Sequence, residues 1–378
     1  MGRIRFALLA CLAFVLLATG GSAHAQSPEP RVVGGSPSTI DQYPWQAAVV
    51  FVGSGNAHQR QFCGGSLVTP SIVLTAAHCV YDTDPDCNSG GGLVCNPGDQ
   101  GGDGTKRIDP NDVDVVLGRT TLSDNSTGVE HAVDGVAYQG DDGNPPIFDD
   151  STLENDIGYL VLQSQSGQET IDIAGADEGA VWAPGVLVDI SGWGSTVSGG
   201  NTVDTLRAAS VPIVSDSSCG SPLVYGSEFD PASMVCAGNL EEGGIDTCQG
   251  DSGGPLESPL EGGGYRLVGI TSWGIGCAEP FAPGVYTRIA GNTLRSAATT
   301  RVFDLETTFG LDHDDIVGSG GQPKSAPPPS PPPPSGDGGS AGAQATVTPR
   351  DPFAKCRKLK SKPKKRRCNR KVRAALRQ

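Results

Sequence analysis

Between residues 32 and 320 the chain alternates short apolar runs with polar, glycine-rich breaks. WQAAVVFV (45–52), SIVLTAA (71–77), VDVVLG (113–118), VLVDISGWG (186–194) and YRLVGITSW (265–273) are rich in Val, Ile and Leu and bounded by Gly, Asp and Asn. Runs this short are too brief for amphipathic helices, and their β-branched content predicts strands. The rhythm therefore predicts an all-β domain, a sandwich or a barrel.

The flanks follow other patterns. MGRIR, an apolar run FALLACLAFVLLAT and the small-x-small site Ala23-His24-Ala25 predict a secretory signal over residues 1–25. Lipid attachment at Cys11 is the competing reading, but it would leave half the apolar run on the mature chain. No later stretch reaches the roughly eighteen apolar residues of a membrane span, so none is predicted. Residues 321–349, with SAPPPSPPPPSGDGGSAGAQA at their centre, cannot bury a core and predict a linker, extended in its proline half and flexible in its Gly/Ser half. Residues 350–378 form a separate basic tail, and 301–320 remain an extension of unassigned character. No repeat of fixed period is present.

Charge sharpens this division. Residues 32–320 carry nine Lys/Arg against thirty-nine Asp/Glu, and 350–378 carry fourteen against one. The acidic body reads as solubility in an exported protein rather than as a specific cation site, and nucleic acid is not expected as a specific partner. The tail reads either as a solvated arm or as a contact for a polyanion or cell wall. Setting aside Cys11, ten cysteines remain, an even number that suits disulfides in an oxidising compartment. Zinc is disfavoured, because no Cys-x-x-Cys pair occurs.

Three segments hold the residue types of nucleophilic catalysis. SIVLTAAHCV ends a strand-like run in His78, LENDIGYLVL sets Asp156 at the head of another, and DTCQGDSGGP places Ser252 among glycines. Alone, His78 reads as structural, Asp156 as a cap or turn residue and Ser252 as a loop serine. Together they supply a hydroxyl, an imidazole to take its proton and a carboxylate to orient that imidazole.

TAAHC, NDIGYL and GDSGGP, in this order, resemble the motifs of the trypsin/chymotrypsin family of serine endopeptidases over residues 32 to about 300. The resemblance implies two packed six-stranded antiparallel β-barrels with the active site in the cleft between them, a short C-terminal helix, and no required cofactor. It implies His78, Asp156 and Ser252 as the catalytic triad, with the N–H groups of Gly250 and Ser252 as the oxyanion hole. It further implies a propeptide, 26–31, cut after Arg31 so that the new amine of Val32 pairs with Asp251. Asp246, six positions before Ser252, falls where the family places the base of its specificity pocket. There it would select Arg or Lys before the scissile bond, with Ser272, Trp273, Gly274 and Gly284 lining an open channel. The implied partners are basic protein or peptide substrates and an activating protease, or the enzyme itself.

The resemblance also pairs Cys63 with Cys79, Cys219 with Cys236 and Cys248 with Cys277. Cys87 and Cys95 are left to pair within an insertion, and Cys356 and Cys368 to close a ring in the tail for which the family has no counterpart. Two departures stand out. The Gly/Asp-rich insertion 82–112 is longer than usual and lacks EF-hand spacing. The family's usual calcium loop falls near 119–130, where Arg119 replaces an expected acid, so structural calcium stays an open expectation. Asn125-Ser126-Thr127 is a glycosylation sequon. The alternative to an active protease is a protease-like binding or adhesion protein that acts through its basic tail.

Overall fold

The computed structural model describes residues 33–81 and 107–324. The expected signal and propeptide, most of the insertion, the linker beyond Lys324 and the tail fall outside them, as do Arg31, Val32, Cys87, Cys95, Cys356 and Cys368.

The first half forms strands β2 (Gln46–Phe51), β3 (Gln61–Thr69), β4 (Ile72–Thr75), β5 (Val113–Leu117), β6 (Val129–Tyr138) and β7 (Gly158–Leu162). These close into a barrel in the order β2-β3-β4-β7-β6-β5. The second half forms β8 (Leu187–Gly192), β9 (Arg207–Val214), β10 (Met234–Ala237), β11 (Pro255–Pro259), β12 (Tyr265–Trp273) and β13 (Gly284–Thr287). Pairing of β8 with both β9 and β11 closes this ring as well, and the short β1 (Ser36–Pro37) adds to it beside β9. Every ladder is antiparallel, and each of the five apolar runs becomes a strand. Closure leaves the barrels without long free edges, and register shifts at Val49/Val50 and Leu67/Thr69 bend the strands around the first barrel.

The molecule is thus two closed six-stranded antiparallel barrels. A helix, Asn292–Phe309, follows the second. It buries Leu294, Ala298, Val302 and Leu305 in the same apolar cluster as the first barrel's core, and the ring of Phe309 fills the space where Gly135 of β6 lacks a side chain. The helix stops at Gly310, a left-handed residue with φ 66°. Beyond it the chain returns along the second barrel. Ile173 donates to the Ile316 carbonyl at 2.7 Å, Gly318 to the Ile173 carbonyl at 2.9 Å, and Lys324 to the Pro259 carbonyl at 3.0 Å. Disulfides join Cys63 to Cys79, Cys219 to Cys236 and Cys248 to Cys277. No helix among the described residues is long and apolar enough to cross a membrane.

Candidate active site

Strand β4 ends at Thr75, and the chain turns into a one-turn helix, Ala77–Val80, that carries His78. The Cys63–Cys79 disulfide fixes this turn to β3. Asp156 enters from the bend before β7, where Asn155 adopts φ 59°. Its carboxylate is fully buried, a costly position unless its oxygens are satisfied. They are: Oδ2 faces His78 Nδ1 at 2.8 Å and accepts from Ser272 Oγ at 2.5 Å, while Oδ1 accepts the His78 backbone N–H at 2.9 Å. The Asp156 carbonyl also accepts from Thr287 Oγ1 at 2.8 Å.

Both barrels therefore hold this carboxylate. Burial alone would raise its pKa, but the His78 charge and the hydrogen bonds from His78 and Ser272 bring it below the ordinary value. Burial pulls the imidazole down, yet the Asp156 charge and hydrogen bond outweigh that and raise it above 6.5. A proton on Nδ1, facing the carboxylate, leaves Nε2 as the proton-accepting nitrogen.

Ser252 lies in the turn that leads into β11. Its carbonyl accepts from Gly64 at 2.7 Å, and Gly253 donates to Thr271 at 2.8 Å. Gly253 has φ 80°, and a Cβ there would sit 2.1 Å from Thr75 Oγ1 and 2.9 Å from the Ala76 nitrogen. Only glycine lets this turn press so closely on the end of β4, three residues before His78. That contact brings the serine turn and the histidine turn into one cleft.

Gly250 has φ 96°, with Thr202 and Gly194 crowding the place of its missing side chain. Gln61 holds it from the first barrel: its Nε2 donates to the Gly250 carbonyl at 2.6 Å. Sequence reasoning missed Gln61, because nothing local marks a glutamine at the head of a strand as a contact 189 residues away. It also gave Ser272 only to the pocket wall, whereas the Ser272 hydroxyl props Asp156. The Asp251 carboxylate is buried and accepts from Gly194 at 2.7 Å and Cys248 at 3.0 Å. No ion pair joins it to a cation among the described residues, and burial lifts its pKa to about 7. Val32, its expected partner, lies outside them.

Asp246, Ser272, Trp273, Gly274 and Gly284 line a cavity of about 190 Å³ together with Ser252. The Cys248–Cys277 disulfide ties its two walls. Asp246 Oδ2 accepts from the Ala278 N–H at 3.0 Å, while its buried Oδ1 has no hydrogen-bond partner. Burial raises this carboxyl to about 7 in the absence of a cation. A Cβ on Gly284 would lie 2.6 Å from Oδ1, so a side chain there would seal the floor; one on Gly274 would meet nothing nearer than 3.8 Å.

Two other groups bear on metals. Cys63, His78 and Cys79 offer atoms within 4.8 Å of one another, but both sulfurs are spent in the disulfide. In the loop 119–130 the Arg119 guanidinium is buried and occupies the centre. Its Nε donates to the Thr127 carbonyl at 3.0 Å, and Nη1 donates to the Leu122 carbonyl at 3.2 Å and to Asn125 Oδ1 at 3.1 Å. A resident cation thus uses oxygens that a metal in this loop would need.

The Trypsin family model matches residues 32–295. Trypsin from Saccharopolyspora erythraea is 36% identical over 258 residues, spanning 68% of this chain and 93% of that protein. Trypsin-1 from Astacus astacus is 35% identical over 267 residues, spanning 68% and 95%, and trypsin alpha-4 from Lucilia cuprina is 34% identical over 292, spanning 76% and 94%. With its paired barrels, disulfides and cleft, the chain belongs to the trypsin family of serine endopeptidases.

Proposed function

We propose that this chain is an exported endopeptidase, made as a zymogen, that cuts peptide bonds after Arg or Lys. The observation that carries the specificity is the Asp246 carboxylate, which ends a cavity reaching Ser252 and keeps one buried oxygen without a partner. A buried carboxylate oxygen without a donor is costly alone and favourable once a guanidinium or ammonium enters. The three disulfides suit export into an oxidising compartment.

In this reading His78 Nε2 takes the Ser252 proton as Oγ attacks the scissile carbonyl, and the Gly250 and Ser252 N–H groups receive the developing oxyanion. His78 returns the proton to the leaving amine, and water then releases the acyl group by the reverse steps. Asp156 keeps the imidazole in its working tautomer and stabilises the imidazolium. These are the roles that the triad plays across this family. Asp251 awaits a cation: cutting after Arg31 would free the Val32 amine to ionise it and set the Gly250 turn.

Purified zymogen should hydrolyse Arg-ending but not Ala-ending chromogenic peptides, and only after brief trypsin treatment. Active protein should begin VVGG, Arg31→Gln should resist activation, and Ser252→Ala should lose turnover by several orders of magnitude. Full activity with residues 26–31 attached would refute the zymogen step, and wild-type activity in Ser252→Ala would refute the mechanism.

A further inference from the structure

The basic tail is the largest feature that the proposed function leaves without a role. None of the eight described arginines is exposed. Arg119, Arg288 and Arg295 are buried, and the others are half-buried, among them Arg207 in β9, Arg266 in β12 and Arg301 in the C-terminal helix. Bonds in such elements cannot enter a protease cleft without local unfolding. The one exposed Lys or Arg among the described residues is Lys324, the last of them.

From there the distribution reverses. Residues 325–349 contain no Lys or Arg, and 350–378 contain fourteen. An enzyme specific for basic residues would find few sites on its own body and many on its tail.

The last described residues run near the cleft. The segment after the C-terminal helix is not released at Gly310 but is bound along the second barrel. Gly321 donates to Glu178 Oε1 at 2.5 Å, Glu261 to the Gln322 carbonyl at 3.0 Å, and Lys324 to the Pro259 carbonyl at 3.0 Å. Pro259 ends β11, the strand that begins three residues past Ser252. Seven residues separate Ser252 from Pro259, so Lys324, hydrogen-bonded to Pro259, lies within about 30 Å of the serine. The 26 residues from Lys324 to Arg350 can extend to about 90 Å, enough to pass round a barrel and return to the cleft. Tethering of this kind presents a segment at roughly millimolar effective concentration, and the opposite charges of tail and body add to the attraction.

We propose that the tail, residues 350–378, is a substrate of this active site in cis. A tail Lys or Arg enters the Asp246 cavity and the peptide bond after it is hydrolysed. Water supplies the hydroxyl of the new carboxyl group and the proton of the new amine, and no further reactant is needed. The cut separates the basic segment from the acidic body. This rests on the Arg/Lys reading of the pocket.

The test needs activation that spares the tail. S27D, P28D, E29D, P30D and R31K together create a site for enteropeptidase, which needs an acidic run that the tail lacks. The full chain and the same chain with Ser252→Ala are activated at 0.1 and 10 µM, followed by intact mass, and assayed on an Arg chromogenic peptide. The active chain should shed C-terminal mass in products ending at Lys or Arg within 350–377. The rate constant should be the same at both concentrations, and Ser252→Ala should stay full length. Turnover of the Arg peptide with an intact tail, or tail loss that accelerates with concentration, overturns the proposal and leaves the pocket reading standing. No turnover of the Arg peptide by the active chain overturns both.

Discussion

Three buried aspartates in and around the cleft differ in what satisfies them, and that difference is chemically informative. Asp156 has donors on both oxygens and is held below the ordinary carboxyl range. Asp251 has two backbone donors and no described cation, and Asp246 has an oxygen with none; burial lifts both to about 7. A group with a raised pKa is neutral below it and ionised above. An aryl amidine such as benzamidine pairs only with ionised Asp246, so its inhibition constant should fall about tenfold per pH unit up to about 7 and then level off. Asp246→Asn should abolish that dependence. Inhibition that is equally strong from pH 5 to 8 would mean that the carboxyl is already ionised or is not the partner.

At the level of elements, the loop 119–130 is organised by the Arg119 guanidinium. Truncating that side chain leaves the buried Leu122 carbonyl without this donor and unties the Thr127 carbonyl, at about 1–3 kcal/mol. Arg119→Ala should therefore lower the Tm by about 3–10 °C, whereas wild-type protein should melt alike in calcium and in a chelator. A wild-type Tm that drops by several degrees in the chelator would contradict this. The sequence marks Arg119 as a departure but not its use, because which carbonyls turn inward is decided by the closed loop. Strands β2, β4, β5, β8 and β12 were legible, since each is a β-branched run between turn residues. The return of 310–324 along the second barrel was not, because its backbone partners at Ile173, Pro259 and Glu261 are distant in sequence and carry no pattern of their own. His78, Asp156 and Ser252 were marked by three short motifs and the pocket residues by their places in the family resemblance, but the supports from Gln61 and Ser272 exist only once the barrels meet.

Across the whole molecule, each barrel supplies part of the cleft: His78 and Asp156 come from the first, Ser252 and the Asp246 cavity from the second, and Asp156 is anchored by both. The same molecule carries a formal charge of −30 over residues 32–320, which by itself would concentrate basic peptides near any site. That field is screened above physiological ionic strength, whereas a desolvated ion pair is screened much less. The most direct test of the account is the Arg-to-Leu ratio of kcat/KM for wild-type and Asp246→Ser enzyme at high salt, with a fluorophosphonate titrant confirming that Ser252 still reacts. Removing one partner of such a pair costs about 2–5 kcal/mol, so the ratio should fall roughly 30- to 4000-fold. A mutant that keeps the wild-type ratio at high salt would contradict the assignment of Asp246 as the specificity determinant.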